Sequence, residues 1–188
     1  MSDFIDIKDN FSQVNRSLKQ MDKAVRKAVL SSLNRATQRS KTEAGRKTRE
    51  RYVVKQREVV ETIRVRKAAG NSLTATLTSK GHTLPLIKFN VSPKRKLKRA
   101  PKAIKAAVLR GGARKPIPGA FIAQTGHHTG VFERVGKKRL PIKELRGPAV
   151  PSMMASDEVR EHVQRVYGEE MLKRLPHELD RTLGRLKT

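Results

Sequence analysis

Residues 11–36 read FSQVNRSLKQMDKAVRKAVLSSLNRA, and the spacing of apolar residues in this stretch decides the fold of the N-terminal region. The apolar positions recur at steps of three and four: Phe11, Val14, Leu18, Met21, Val25 and Ala28, with Leu33 and Ala36 continuing the stripe. Such spacing is typical of an amphipathic helix, because residues three and four apart share one face. Asp9 or Asn10 is suited to cap its start. No proline occurs before Pro85, so the helix is predicted to run to about Arg51, a length of ~60 Å at ~1.5 Å per residue.

The apolar stripe of this helix has two possible partners. A helix of that length on a small domain often packs on a neighbouring subunit, and Phe11, Val14, Leu18, Met21 and Val25 are the candidate subunit interface. Packing against the protein's own sheet is an equal alternative.

The composition indicates one domain with a strongly basic surface. The chain has 188 residues, with 43 Lys and Arg against 17 Asp and Glu, a formal charge of +26. That much like charge opposes compaction of an isolated monomer and favours a negatively charged partner, either nucleic acid or an acidic protein. The absence of cysteine excludes disulfides and thiolate metal sites. No apolar run approaches the ~20 residues of a membrane span, and the acidic start MSDFIDIKDN predicts no secretion signal.

The positive charge is concentrated in the middle of the chain. Residues 62–132 hold 15 basic residues and no acidic one. The densest run is KRKLKRAPK, residues 94–102, with the cations Lys94, Arg95, Lys96, Lys98, Arg99 and Lys102. This run is predicted either to contact phosphates or an acidic partner, or to be a solvated loop. Aromatic residues total 4 %, too few for a base-stacking platform, so any DNA contact should be to the backbone and indifferent to sequence.

The region from 53 to 150 is predicted to be mainly β, with a basic loop over 93–115. A short helix is predicted between Val53 and Glu61. Strands are predicted around Ile63 and Val65, over residues 73–78 and over residues 84–91, where Pro93 ends the pattern. Further strands are predicted over Gly119–Gln124, over Val131–Val135 and near Leu140–Leu145. Residues 103–109 are ambiguous between helix and strand.

Residues 151–188 are predicted to be helical. Ser156 is suited to cap this segment, with Asp157 in the first turn. The apolar face is predicted to comprise Val159, Val163, Val166, Leu172, Leu175, Leu179, Leu183 and Leu186. Pro176 is expected to kink or restart the helix. The fold class is therefore α+β in a single domain, 1–188: a long N-terminal helix over 1–52, a small antiparallel sheet with a basic loop, and C-terminal helices.

No constellation of residues suggests catalysis. The five histidines show no HExxH spacing, and His127 and His128 are adjacent and face opposite ways on a strand. The only adjacent acidic pairs, Asp157-Glu158 and Glu169-Glu170, lie on predicted helices, where neighbours do not converge. There is no GxSxG, P-loop or GxGxxG motif. We expect no enzyme activity, no cofactor and no metal site.

The order of motifs from residue 117 onward is more specific than the composition. It runs IPGAFIAQ, GVFERVGKKRLPIKEL, GPAVPSMM and LKRLPHELDRTL. This order resembles the prophage minor tail protein Z family of lambda-type phages. The motif residues are Ile117, Pro118, Gly119, Ala120, Phe121, Ile122, Pro141, Pro151, Leu175 and Pro176, and all are expected to be structural. Gly119, for example, allows a turn into a strand.

The resemblance implies a tail-completion role at the head-proximal end of a long phage tail. It implies a homo-oligomer, a hexameric ring matching the tail tube and its terminator protein, close to the packaged DNA end, in the virion and in the host cytoplasm during assembly. The alternative is a sequence-nonspecific nucleic-acid-binding protein of ribosomal or nucleoid type, which the charge of +26 favours. A ring whose basic lumen faces DNA combines the two.

Overall fold

A computed structural model describes residues 23–99, 101–126 and 128–184, and within these ranges the chain is α+β as predicted. The helices are α1 (Lys23–Arg51), α2 (Gln56–Thr62), α3 (Val150–Met154) and α4 (Asp157–Gly184). The strands are β1 (Ile63–Arg66), β2 (Thr76–Ser79), β3 (Thr83–Pro85), β4 (Asn90–Ser92), β5 (Ile104–Ala107), β6 (Lys115–Ile117), β7 (Phe121–Thr125), β8 (His128–Arg134), β9 (Ile142–Glu144) and β10 (Arg146–Ala149).

The two long helices form an antiparallel pair. Lys47 and Arg51 of α1 contact Glu158 near the start of α4, and Ser31 lies beside Glu178 near its end. The predicted end of the first helix at Arg51 is confirmed, whereas its predicted start and cap lie outside the described residues.

A row of small side chains on α1 is completely enclosed. Its members recur every four residues, and each is at most 1 % exposed: Ala28, Ser32, Ala36, Ser40, Ala44 and Thr48. Residues four apart form a continuous ridge, and small ridges allow neighbouring backbones to approach closely. The Ser32 hydroxyl donates to the Ala28 carbonyl at 3.0 Å, which satisfies its polar group inside the helix.

The β region consists of small antiparallel sheets rather than one. The described strands pair as β1-β2, β10-β3, β4-β5-β6 and β7-β8-β9. The sheets and helices α1–α4 all contribute to the first core cluster, in which Phe89 is the largest fully buried side chain. Gly147 of β10 lies so close to the Phe89 ring that a Cβ atom there would clash with it. A second cluster, containing Val29, Leu33 and Leu73, joins α1 to the chain after β1.

The strand predicted over residues 84–91 is interrupted. A 3₁₀ turn over Leu86–Lys88 separates β3 from β4, and Pro93 follows the end of β4 as predicted. Leu86 and Phe89 are both buried. Residues three apart on one strand would face opposite sides of the sheet. The turn therefore directs both side chains into one core, which a continuous strand would not do.

Helix α4 does not restart at Pro176, which lies inside it. Proline at this position removes the hydrogen bond to the Leu172 carbonyl. Pro176 is exposed and Leu172 is 80 % exposed, so this side of the helix faces solvent and the Pro176 ring is accommodated without loss of buried contacts. The prediction of Leu172 on the apolar face is wrong: Tyr167, Met171 and Leu175 form that face in the second cluster.

The enclosed row on α1 generates a stability prediction. Ala36→Leu inserts three carbons where the native residue is 0 % exposed, and should lower the free energy of unfolding by about 1–3 kcal/mol. Gln38→Leu, at an exposed position on the same helix, should change it by less than about 0.5 kcal/mol. Urea denaturation of both variants is the measurement, and equal midpoints would contradict the close packing.

Candidate interaction surfaces

The basic run forms a surface loop between β4 and β5. The two strands are adjacent and pair at Ser92 and Lys105, so the loop is anchored at both ends. All six predicted contact residues are exposed: Lys94, Arg95, Lys96, Lys98, Arg99 and Lys102. None forms an ion pair with any residue that the structure describes. The predicted interval 93–115 also contains β5, which resolves the ambiguity of residues 103–109 in favour of a strand.

Four other cations of the acid-free stretch lie on strands: Arg64, Arg66, Lys105 and Lys115. On β1, Arg64 and Arg66 are exposed while Ile63 is buried, which confirms the alternation expected of a half-buried strand. Lys88 differs, because its ammonium lies 2.7 Å from the Glu58 carboxylate. Within this stretch, the 94–102 loop therefore has more cations without an ion pair, residue for residue, than the strands do.

Many cations of the helices, in contrast, form ion pairs within the chain. Lys47 and Arg51 lie 2.9 Å and 2.6 Å from the Glu158 carboxylate oxygens and join α1 to α4. The hydrogen bond from Lys47 is the main cause that lowers the pKa of Glu158 below its usual 4.5, and the same bond raises the pKa of Lys47. Sequence spacing gave no signal for this contact, because its partners are more than a hundred residues apart.

A basic groove runs between α1 and α4. It is lined by Arg35, Gln38, Arg39, Thr42, Glu170, Lys173 and Arg174. Arg174 donates to Glu170 at 2.8 Å, which lowers the pKa of that carboxyl, and Arg39 lies 3.2 Å from Glu43. Half of the groove's cations are thus already neutralised within the chain, so it is a weaker anion site than the 94–102 loop.

The predicted subunit stripe is only partly visible. Val25 is partly buried against the second core cluster of its own chain. Phe11, Val14, Leu18 and Met21 lie outside the described residues. Val25 thus packs within its own chain, against residues of the long helices and of the segment between β1 and β2. Whether the rest of the stripe packs on the protein's own sheet or on a neighbouring subunit stays a prediction.

Two of the described histidines, His128 and His162, contact carboxylates of other elements. His128 of β8 lies 2.6 Å from Glu144 of β9, whose carboxylate also pairs with Arg146 at 3.2 Å. Arg146 in turn donates to the Thr83 carbonyl, which ties this sheet to β3. His162 of α4 approaches the buried Glu43 of α1 at 3.4 Å. Among described residues, no group of three or more His, Asp or Glu is arranged to hold a metal ion.

The motif residues surround the turns and helix starts of the fold. Gly119 adopts a φ of +71° between β6 and β7, as its predicted turn role requires. Ile122 is buried on β7, and Pro151 is buried in the first turn of α3. Pro141 differs: it is exposed in the loop between β8 and β9.

Together these features define a basic α+β protein in which ion pairs join the two long helices and exposed loops carry cations without ion pairs to the residues described. The family model described as prophage minor tail protein Z (GPZ) matches residues 11–188. The chain belongs to this family of phage tail proteins. Searches of curated proteins and of solved structures gave no match. No helix in the described ranges is long and apolar enough to cross a membrane.

The Glu158 contact generates a pH prediction. A carboxyl whose pKa is lowered by folding stabilises the fold above its unfolded value, here 4.5, and loses this effect as pH falls through the folded value. Glu158→Gln should therefore reduce the difference in melting temperature between neutral pH and about pH 3. Glu161→Gln, at an exposed position one turn along α4, is the control. Identical pH profiles for Glu158→Gln and the native protein would contradict the role of the contact.

Proposed function

We propose that this protein is a non-catalytic tail-completion component that forms a ring at the head-proximal end of a long phage tail. The ring is hexameric and matches the tail tube and the terminator protein, its neighbours in the virion. Assembly takes place in the host cytoplasm. Membership of the minor tail protein Z family over residues 11–188 is the observation that carries this proposal.

The charge distribution supports a position beside a polyanion. The six cations of the 94–102 loop are exposed and have no ion pair within the described chain. Six clustered cations repel one another, and a negatively charged neighbour removes that repulsion. In the proposed ring this neighbour is the end of the packaged DNA, contacted through its phosphates.

The apolar stripe of the N-terminal sequence is the proposed seam between ring subunits. Closed rings use heterologous contacts, in which two different surfaces of each subunit meet. Leu18 and Met21 continue the helical spacing upstream of Val25, which itself packs within its own chain. The upstream part of the stripe is therefore the part we assign to the neighbouring subunit.

Electron microscopy of the purified protein, alone and with tail tubes, tests the ring. Native protein should form rings that dock at one end of the tube, and mass spectrometry should detect it in mature tails. Leu18→Asp with Met21→Asp should abolish the rings, because two charges would enter an apolar seam. Gln13→Asp with Gln20→Asp adds the same charge off the stripe and should leave them intact.

A native protein that stays monomeric and is absent from tails would contradict the proposed function. Normal rings from the Leu18 and Met21 double variant would instead remove only the stripe from the seam.

The second candidate function is sequence-nonspecific nucleic-acid binding of ribosomal or nucleoid type. The unpaired cations of the loop favour it. If six phosphates are contacted, duplex affinity should fall by about 10³-fold between about 50 and 200 mM salt. This function requires tight duplex binding by the free protein, whereas the ring requires only contact within the assembled tail.

A salt titration of duplex binding tests the loop. Replacing Lys94, Arg95 and Lys96 with Gln should reduce the slope of log affinity against log salt by about 3, since each phosphate contact contributes about 0.9. The matched control replaces Arg64, Arg66 and Lys67 with Gln, which removes equal charge from the β1 region. Equal losses would mean that net charge binds DNA rather than the loop. No binding by native protein at low salt would contradict the second function.

A further inference from the structure

The loop joining β8 to β9 holds a defined shape. The Val135 N–H donates to the Pro141 carbonyl at 3.2 Å and closes the base of the loop. Arg134 donates to the Arg139 carbonyl at 2.6 Å, and its guanidinium carbon lies 5.5 Å from the centre of the Phe121 ring. We call residues 135–141 the hairpin tip. Because these bonds fix its backbone, little conformational entropy remains to be lost on binding.

The hairpin tip presents two large apolar side chains to solvent. Val135 is 64 % exposed and Leu140 is 66 % exposed. Other strongly exposed apolar residues in the described ranges, such as Leu109 and Leu172, lie singly on separate elements, which is ordinary for a protein surface. The pair is unlike them, since the Val135–Pro141 bond places Val135 beside the residue that follows Leu140. A loop that served only as a connection would gain nothing from this pair.

Three exposed cations lie between the two apolar residues in the sequence. Lys137, Lys138 and Arg139 are exposed, and none has an ion pair among the residues described. No acidic residue occurs between Glu133 and Glu144. Exposed apolar side chains accompanied by charged ones are the composition of a protein–protein contact. A nucleic-acid backbone would use the cations but leave the two aliphatic side chains in water.

We propose that the hairpin tip docks into an apolar cleft on an acidic protein surface of the tail, distinct from a second copy of this chain. The charge of the tip selects this partner, because electrostatic complementarity favours an acidic surface. Within the described residues 23–184, a second copy offers few carboxylates without an ion pair. Several carboxylates of its helices already pair with cations of the same chain: Glu43, Glu50, Glu158, Glu170 and Glu178.

Purified tails that lack this protein are the probe, and co-sedimentation of added protein is the measurement. Val135→Ser with Leu140→Ser should weaken binding at least about tenfold, because two apolar side chains lose their cleft. Replacing Lys137, Lys138 and Arg139 with Gln should also weaken binding and reduce its salt dependence. Leu109→Ser with Leu172→Ser removes two exposed apolar side chains elsewhere and should bind like the native protein. Circular dichroism checks that every variant is folded.

Three results would overturn the docking proposal. The first is native-like binding by both tip variants. The second is failure of the native protein to bind the tails. The third is loss of self-association in the Val135 and Leu140 variant, seen by sedimentation velocity, since the occupant would then be a second copy. The proposed ring is judged separately, from the N-terminal stripe and from the composition of mature tails.

Discussion

The close approach of α4 to α1 depends on the enclosed row of small side chains, and both core clusters depend on that approach. Ala44 of the row packs in the first cluster with Val159 and Val163 of α4. Val29 and Leu33, beside the row, pack in the second cluster with Met171 and other residues of α4. A larger side chain in the row would separate the helices and open both clusters at once. The small sheets add to this frame, since β1 directly follows α2 and β10 directly precedes α3.

The sequence predicted the helices from large apolar residues but not the surface on which they meet. Spacing of three and four correctly placed Leu33 and Ala36 on the buried side. It gave no sign that Ser32, Ser40 and Thr48 are buried, because hydropathy assigns hydroxyl side chains to the surface. The Ser32 hydroxyl donates to the carbonyl one turn earlier, whereas the hydroxyls of Ser40 and Thr48 are buried with no hydrogen-bond partner in the described part of the chain. Reliance on residue type also led to the wrong prediction that Leu172 lies on the apolar face of α4, where its side chain is in fact exposed.

Strand alternation predicted most strands, yet pairing and the candidate surfaces depended on contacts between distant residues. The interruption at Leu86–Lys88 follows from the need to bury both Leu86 and Phe89, which only the assembled core imposes. The basic loop was predicted because its cations are contiguous in sequence. The hairpin tip was not, because Val135 and Leu140 belong to a motif that we expected to be structural. The sequence did show two apolar residues flanking Lys137–Arg139. Only the structure shows that both are exposed, and it is their exposure that makes the hairpin tip a candidate interaction surface.

The distribution of paired charge explains how so basic a chain holds a compact fold. The carboxylates of the long helices lie beside cations of the same frame, as Glu158 does beside Lys47 and Arg51. The excess charge is carried by exposed loops and by those cations of α1 that have no carboxylate partner among the described residues, where water and salt screen its repulsion. Neutralising those loops therefore requires no change in the core. The proposed partners, a polyanion at the 94–102 loop and an acidic protein at the hairpin tip, would each contact exposed residues, so the proposal requires no rearrangement of the buried core.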